Sequence, residues 1–244
     1  LFALIALCIV ALVFRPQLRR PHLPTHFART FCGATGITLL FAASAQMPLA
    51  DANAISFLNP VFALALAALF LKERVGRIRW TAAGMAFLGA LILIRPGLGT
   101  FQPAALLALA SAVMIGAEIT LIKRLSGHEP TFTILLTNNA IGLVLASLAV
   151  SFVWLSPSPG QWAALAGLGC SIAAAQFCYT NALARAEASF IVPFSYTALI
   201  FAGLWDAIVF GKLPDALSFA GAATIIAGGA LLAWREGKLQ ALRR

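Results

Sequence analysis

The sequence predicts an all-α fold, a polytopic membrane helical bundle arranged as two inverted-topology halves. Three observations predict it. Hydrophobic residues make up 61% of the chain and charged residues 10%, with a mean hydropathy of +0.93, whereas a soluble domain carries roughly a quarter charged residues. The apolar residues fall in long blocks with few charges, the pattern of helices that cross about 30 Å of hydrocarbon. Short segments of the first half also recur in the second with opposite orientation. Strands crossing a membrane would alternate polar and apolar residues over about ten positions, and these blocks do not alternate.

In chain order the blocks predict helical spans at 1–14, 30–48, 52–71, 79–94, 103–122, 131–155, 161–183, 188–211 and 216–234. The first would be about 21 Å long at 1.5 Å per residue, too short to cross. It begins at Leu1 without a methionine, so the expectation is a chain that starts part-way through a helix. The connectors then set orientation. Arg15, Arg19, Arg20 and Arg29 follow the first span, and Lys72, Arg74, Arg77 and Arg79 follow the third. Lys123 and Arg124 follow the fifth, Arg185 the seventh, and Arg235, Lys238, Arg243 and Arg244 the last. Fifteen of the 17 Lys and Arg thus share one side, against Arg95 and Lys212 on the other. The positive-inside rule makes that side, and the C-terminus, cytoplasmic. Trp80, Trp154, Trp162 and Trp234 near span ends suit interfacial anchors.

A net charge of +9 also fits a phosphate binder. Here the basic residues sit in short gaps between apolar blocks, where an anionic leaflet attracts them. Nucleic acid is not an expected partner; the lipid bilayer is. Cys8, Cys32, Cys170 and Cys178 all lie in apolar blocks without a paired spacing, which reads as packing. His22, His26 and His128 lie in connectors with no ligand spacing, so no metal and no cofactor are expected. No Gly-x-Ser-x-Gly or His-Glu-x-x-His string occurs, so no catalytic residue is named and an enzyme is not expected.

Self-similarity organises the chain. Gly89 to Gly97, with Arg95-Pro96, resembles Gly229 to Gly237, with Arg235-Glu236. Ala50-Asp51-Ala52 answers Ala186-Glu187-Ala188, and Gly84 answers Gly221. The copies face opposite sides, since Asp51 and Arg95 fall in outer gaps and Glu187 and Arg235 in inner ones. Inverted-topology repeats place a binding site near the bilayer midplane and support alternating access. The division expected is a first repeat at 1–97, a second at 98–237 and a basic tail at 238–244.

The residues also resemble a family. Ala52 through Asn59-Pro60, the helix end Leu71-Lys72-Glu73-Arg74, and Gly84 through Gly97 resemble the first EamA repeat of the drug/metabolite transporter superfamily. Ala186-Glu187-Ala188-Ser189, Pro193-Phe194-Ser195-Tyr196 and the run to Asp215 resemble the second. The resemblance implies ten helices in two inverted five-helix halves, with the first helix and part of the second missing from this chain. It also implies carriage of small organic metabolites or drugs across an inner membrane. One departure stands out. Lys212 occupies the place of an acid that Glu73 keeps in the first repeat, so no role of that acid is carried over.

Polar groups inside apolar spans mark candidate sites, because they are costly in lipid unless they face the bundle interior. Gln46, Asn53, Asn59, Gln176, Tyr179, Asn181 and Tyr196 are the expected substrate-binding residues. Their amide and phenol groups both donate and accept hydrogen bonds. Interhelical bonding is the alternative for each, at about 0.6 kcal/mol apiece. Pro60 and Pro193 lie at repeat-related depths and are expected hinges, since proline frees a helical carbonyl that lipid cannot satisfy. Glu118 reads either as a proton or cation acceptor or as the partner of Lys123 or Arg124. Asp206 reads as a second coupling acid or as the partner of Lys212. The function expected is a carrier of a small-molecule substrate working by alternating access, with proton coupling through these acids left open. A channel or non-transporting scaffold is the alternative. The expected setting is a bacterial plasma membrane, multi-pass, and a homodimer remains an open assembly.

Overall fold

Blocks of Ala, Leu, Ile and Phe become helices because in lipid every backbone polar group has to be satisfied within its own segment. The computed structural model describes residues 1–47, 49–73, 75–94, 103–151, 154, 156–210 and 216–241. For 49–51, 93–94, 149, 202, 206, 209–210, 218 and 236–241 only the backbone is described.

Helix α1 (Phe2–Phe14) closes on Arg15, whose left-handed backbone (φ 43°) returns its N–H to the Ala11 carbonyl. Helix α2 (Leu23–Ser44) starts seven residues before the apolar block that predicts it. Its polar first turns are tolerated because Thr25, His26 and Thr30 each find partners there. The single span expected at 52–71 is two helices, α3 (Leu49–Ser56) and α4 (Asn59–Phe70), broken ahead of Pro60. Helices α5 (Arg77–Ile94), α6 (Ala104–Ser126) and α7 (Thr131–Val150) follow. Helix α8 (Pro159–Arg185) opens on a capping box between Ser158 and Gln161, with Pro159 at its first position. The span expected at 188–211 is also broken, into α9 (Ala188–Ile191), a 3-10 turn (Val192–Tyr196) and α10 (Thr197–Phe210). Helix α11 (Ala216–Ala241) ends the described chain. No strand occurs among the described residues.

Contacts divide the chain into two compact units, the first comprising 1–31 and 121–186 and the second 32–120 and 187–244. Each unit therefore draws on both sequence repeats. In the first, α1 packs on α7 and α8 around Ala3, Leu7, Leu135 and Ala173. Phe132 and Phe177 meet there with ring centres 5.4 Å apart. In the second, α5 and α11 run closely against each other. A Cβ at Gly89 would stand 2.7 Å from the Gly221 carbonyl, and one at Gly228 would stand 2.9 Å from that of Ala82. Such close backbone approach supplies the dispersion that replaces the hydrophobic effect between helices in lipid.

Among the described residues, six segments are long and apolar enough to cross a membrane: Leu23–Ser44, Ala52–Phe70, Ala104–Ser126, Thr131–Leu148, Pro159–Arg185 and Ala188–Trp205. Phe41, Leu69, Phe70, Ile208 and Phe219 are each more than 60% exposed on their units. Water would not tolerate that much apolar surface on a soluble monomer, but lipid solvates it.

Candidate functional site

The two breaks lie in the second unit, and each follows from a proline. Pro60 has no N–H, so the Ser56 carbonyl loses its helical donor. The Asn59 side chain replaces it, Nδ2 donating to Ser56 O at 2.8 Å. The Val61 N–H turns to Leu58 O at 2.9 Å, which leaves the Phe57 carbonyl without a local donor. The Tyr196 hydroxyl donates to it at 2.6 Å. Tyr196 is fully buried, with its ring against Phe57 and Phe87.

Pro193 opens the second break. Here the chain tightens into the 3-10 turn, and hydroxyls one turn on take up its carbonyls. Ser195 Oγ donates to Val192 O and Thr197 Oγ1 to Phe194 O, both at 2.7 Å. The two breaks meet, since α4 packs on α9 and on the 3-10 turn. Two amide functions remain beside them. The Asn53 side chain and Asn59 Oδ1 have no hydrogen-bond partner among the described residues, and both residues are half-buried. Gln46 differs: it is exposed, and its Nε2 donates to Ala42 O at 3.2 Å on its own helix.

Glu118 lies in this unit on α6, against α2. A Cβ at Gly33 would meet its Oε2 at 2.7 Å, so the carboxylate occupies the space that a glycine leaves open. In the first unit, Lys123 donates to the carbonyls of Leu183 and Ala186, both at 2.6 Å, at the C-terminal end of α8. A cation there complements the helix dipole. Asp206 lies on α10, with its side chain outside the described residues. Arg95, Lys212 and Asp215 also lie outside them.

The other candidates lie in the first unit. Gln176 Oε1 accepts from Asn139 Nδ2 at 2.9 Å, and Asn181 Oδ1 accepts from the Thr131 hydroxyl at 3.1 Å. The Tyr179 hydroxyl is buried. These amides link α8 to α7. A pocket of about 660 Å³ opens beside them, lined largely by apolar groups with Asn139 and Ser147 among them. None of the expected substrate-binding residues lines it, although Trp154 and Trp162 do.

A charged cluster escaped the sequence reading. Glu73 accepts the N–H groups of Ala188 (2.9 Å) and Ser189 (3.0 Å), capping the start of α9. Arg79, buried at the start of α5, donates to Glu187 and to Ser189 Oγ. Lys72 makes this possible: its left-handed backbone (φ 55°) ends α4 and turns Glu73 toward α9. The signal was present in the pairing of Ala50-Asp51-Ala52 with Ala186-Glu187-Ala188, which marked position 187 as special. It did not reveal that Glu73, 115 positions before Ala188, and Arg79, 108 positions before Glu187, would meet the same turn.

The profile of the EamA-like transporter family matches residues 1–95 and 102–234. The chain belongs to that family. Among its relatives, a riboflavin transporter of Vibrio cholerae is 33% identical over 231 residues, which is 92% of this chain and 76% of that protein. A pseudopaline exporter of Pseudomonas aeruginosa is 28% identical over 211 residues, 86% of this chain and 74% of that protein. A solved crystal structure shares the fold with a TM-score of 0.78 at 21% identity, covering 95% of this chain and 84% of that one. The EamA-like chain is accordingly a multi-pass membrane protein of a small-molecule transporter family, and its paired proline breaks lie within the two matched segments.

Proposed function

We propose that this chain carries a polar, hydrogen-bonding metabolite across a bacterial inner membrane by alternating access, with its C-terminus in the cytoplasm. The observation that carries the reading is the bond from Tyr196 to the Phe57 carbonyl. It joins the breaks of two repeat-related segments, and irregular backbone at membrane depth is tolerated where protein buries it or a wet cavity meets it. Asn53 and Asn59 are the solute-facing amides in this unit, while Gln176, Tyr179 and Asn181 form a second polar set. Pro60 and Pro193 serve as the hinges. The relatives' names, a riboflavin transporter and a pseudopaline exporter, support a small-molecule cargo. Glu118 and Asp206 are the proposed coupling acids, since an acid in a transmembrane span is a functional site by default.

Proteoliposomes test this. A carrier shows saturable uptake and counterflow of a metabolite identified by thermal shift of the purified protein. Asn53→Ala lowers that flux while the protein still inserts and binds detergent normally. Linear, non-saturating flux without counterflow would refute a carrier. Glu118→Gln should abolish the dependence of flux on an imposed proton gradient while counterflow persists, and unchanged gradient dependence removes Glu118 from the coupling.

A further inference from the structure

All three histidines of the chain converge in the first unit, although they are 106 positions apart at the extremes. The Glu129 carboxylate holds two of them. Its Oε1 accepts the backbone N–H of His22 at 2.8 Å, and its Oε2 accepts from Nε2 of the fully buried His26 at 2.9 Å. His22 Nδ1 pairs with the Thr25 hydroxyl at 2.7 Å. His128 Nδ1 donates to the Arg124 carbonyl at 2.9 Å, which leaves its Nε2 outward. Between these groups lies a pocket of about 190 Å³ lined by His22, Thr25, Arg124, Leu125, His128 and Glu129.

Charge and position define what fits. Arg124 has no ion-pair partner among the described residues, and its planar fork suits phosphate oxygens. Glu129 uses one lone pair on each oxygen and keeps acceptor capacity for a second donor. One guanidinium and one carboxylate in a single pocket match a zwitterion better than an anion. The pocket also lies where α2 begins, α6 ends and α7 begins, the ends of three membrane-crossing segments and therefore the level of lipid headgroups. From its rim Leu23, Phe27 and Phe31 run along one face of α2 at a spacing of four, each at least half exposed. Residues so spaced form a continuous helical stripe, a surface on which acyl chains lie.

We infer that this pocket binds the headgroup of a phosphatidylethanolamine-type lipid. The Arg124 guanidinium holds the phosphate, Glu129 accepts from the primary ammonium, and the acyl chains follow the Leu23, Phe27 and Phe31 stripe. The inference needs only the multi-pass membrane setting, and depends on neither the transported solute nor the leaflet.

Native mass spectrometry of the full chain in detergent tests it, with equal mixtures of phosphatidylethanolamine, phosphatidylglycerol and phosphatidylcholine of matched acyl chains. Preferential retention of phosphatidylethanolamine is expected, because a trimethylated ammonium has no N–H for Glu129. Arg124→Gln should lower that retention about fivefold, while Arg185→Gln, outside the pocket, leaves it unchanged. Glu129→Gln should erase the preference over phosphatidylcholine; should that variant fail to fold, the wild-type lipid series alone decides. Equal retention of all three lipids overturns the proposal, as does preference for phosphatidylglycerol. Displacement of the lipid by inorganic phosphate alone would reassign the pocket to a soluble phosphate and overturn it too. Loss of transport with lipid retention intact bears on the carrier reading only.

Discussion

At Pro60 and at Pro193 the same covalent defect, a missing N–H in a membrane-buried helix, is met in different ways. The first break keeps α-helix on both sides and recruits side chains: Asn59 from the position before Pro60, and Tyr196 from 139 positions beyond Phe57. The second absorbs the defect in its own backbone, winding into a 3-10 turn whose carbonyls are taken by Ser195 and Thr197. A tighter helix shifts hydrogen bonds to nearer partners, so the second break needs little from elsewhere in the chain. The first depends on the second being in place. Two repeat-related positions thus carry unequal roles, one as dependent and the other as support.

That inequality can be broken at its anchor. The second break supports the first only while α9 is held, and Glu73 holds it with two charge-assisted bonds to backbone N–H groups. Glu73→Ala should give the largest loss, about 2 kcal/mol, below the sum of two such bonds because the residue is only half-buried. The thermal unfolding midpoint of the purified protein measures it. Next comes Tyr196→Phe, which leaves the Phe57 carbonyl without a donor in a dry setting. About 1.5 kcal/mol is expected, near the upper end for bonds between membrane helices. A mutant cycle of the two should show coupling, since one residue fixes the element that positions the other. Additive losses would mean that the second break holds its shape without Glu73.

Ser195→Ala sharpens the comparison from the other side. Its bond lies within a turn that already pairs neighbouring backbone groups, so a loss of about 0.6 kcal/mol is expected. A loss equal to that of Tyr196→Phe would show that the two breaks are equally dependent on side chains.

Much of the helical frame was legible in the sequence, because hydropathy and the alternation of basic connectors are local properties. The prolines were legible too, as sites where a helix has to give way. How each break is repaired was not. Asn59 reads equally well as a solute ligand or as a local cap, and only the geometry places its Nδ2 on Ser56 O. Tyr196, Glu73, His22 and His26 act across more than 100 positions, where no periodicity connects them. The early start of α2 was missed for the same reason. Its polar first turns look like a connector until Glu129 supplies the partner that makes them helical.

The smallest expected effect tests the account of the first break most directly. Asn59→Ala alone removes the donor to Ser56 O and should destabilise by about 1 kcal/mol. Pro60→Ala alone restores an N–H at the position whose helical acceptor is Ser56 O, where it competes with the Asn59 amide already there. The double variant carries the backbone donor without the side-chain one. If the Asn59 amide exists to replace the missing proline N–H, the double variant should unfold within a few tenths of a kcal/mol of wild type, well above Asn59→Ala. Flux should not recover with it, because a continuous helix removes the hinge and Asn59 Oδ1 is gone. A double variant as unstable as Asn59→Ala would mean that the amide serves something other than the break.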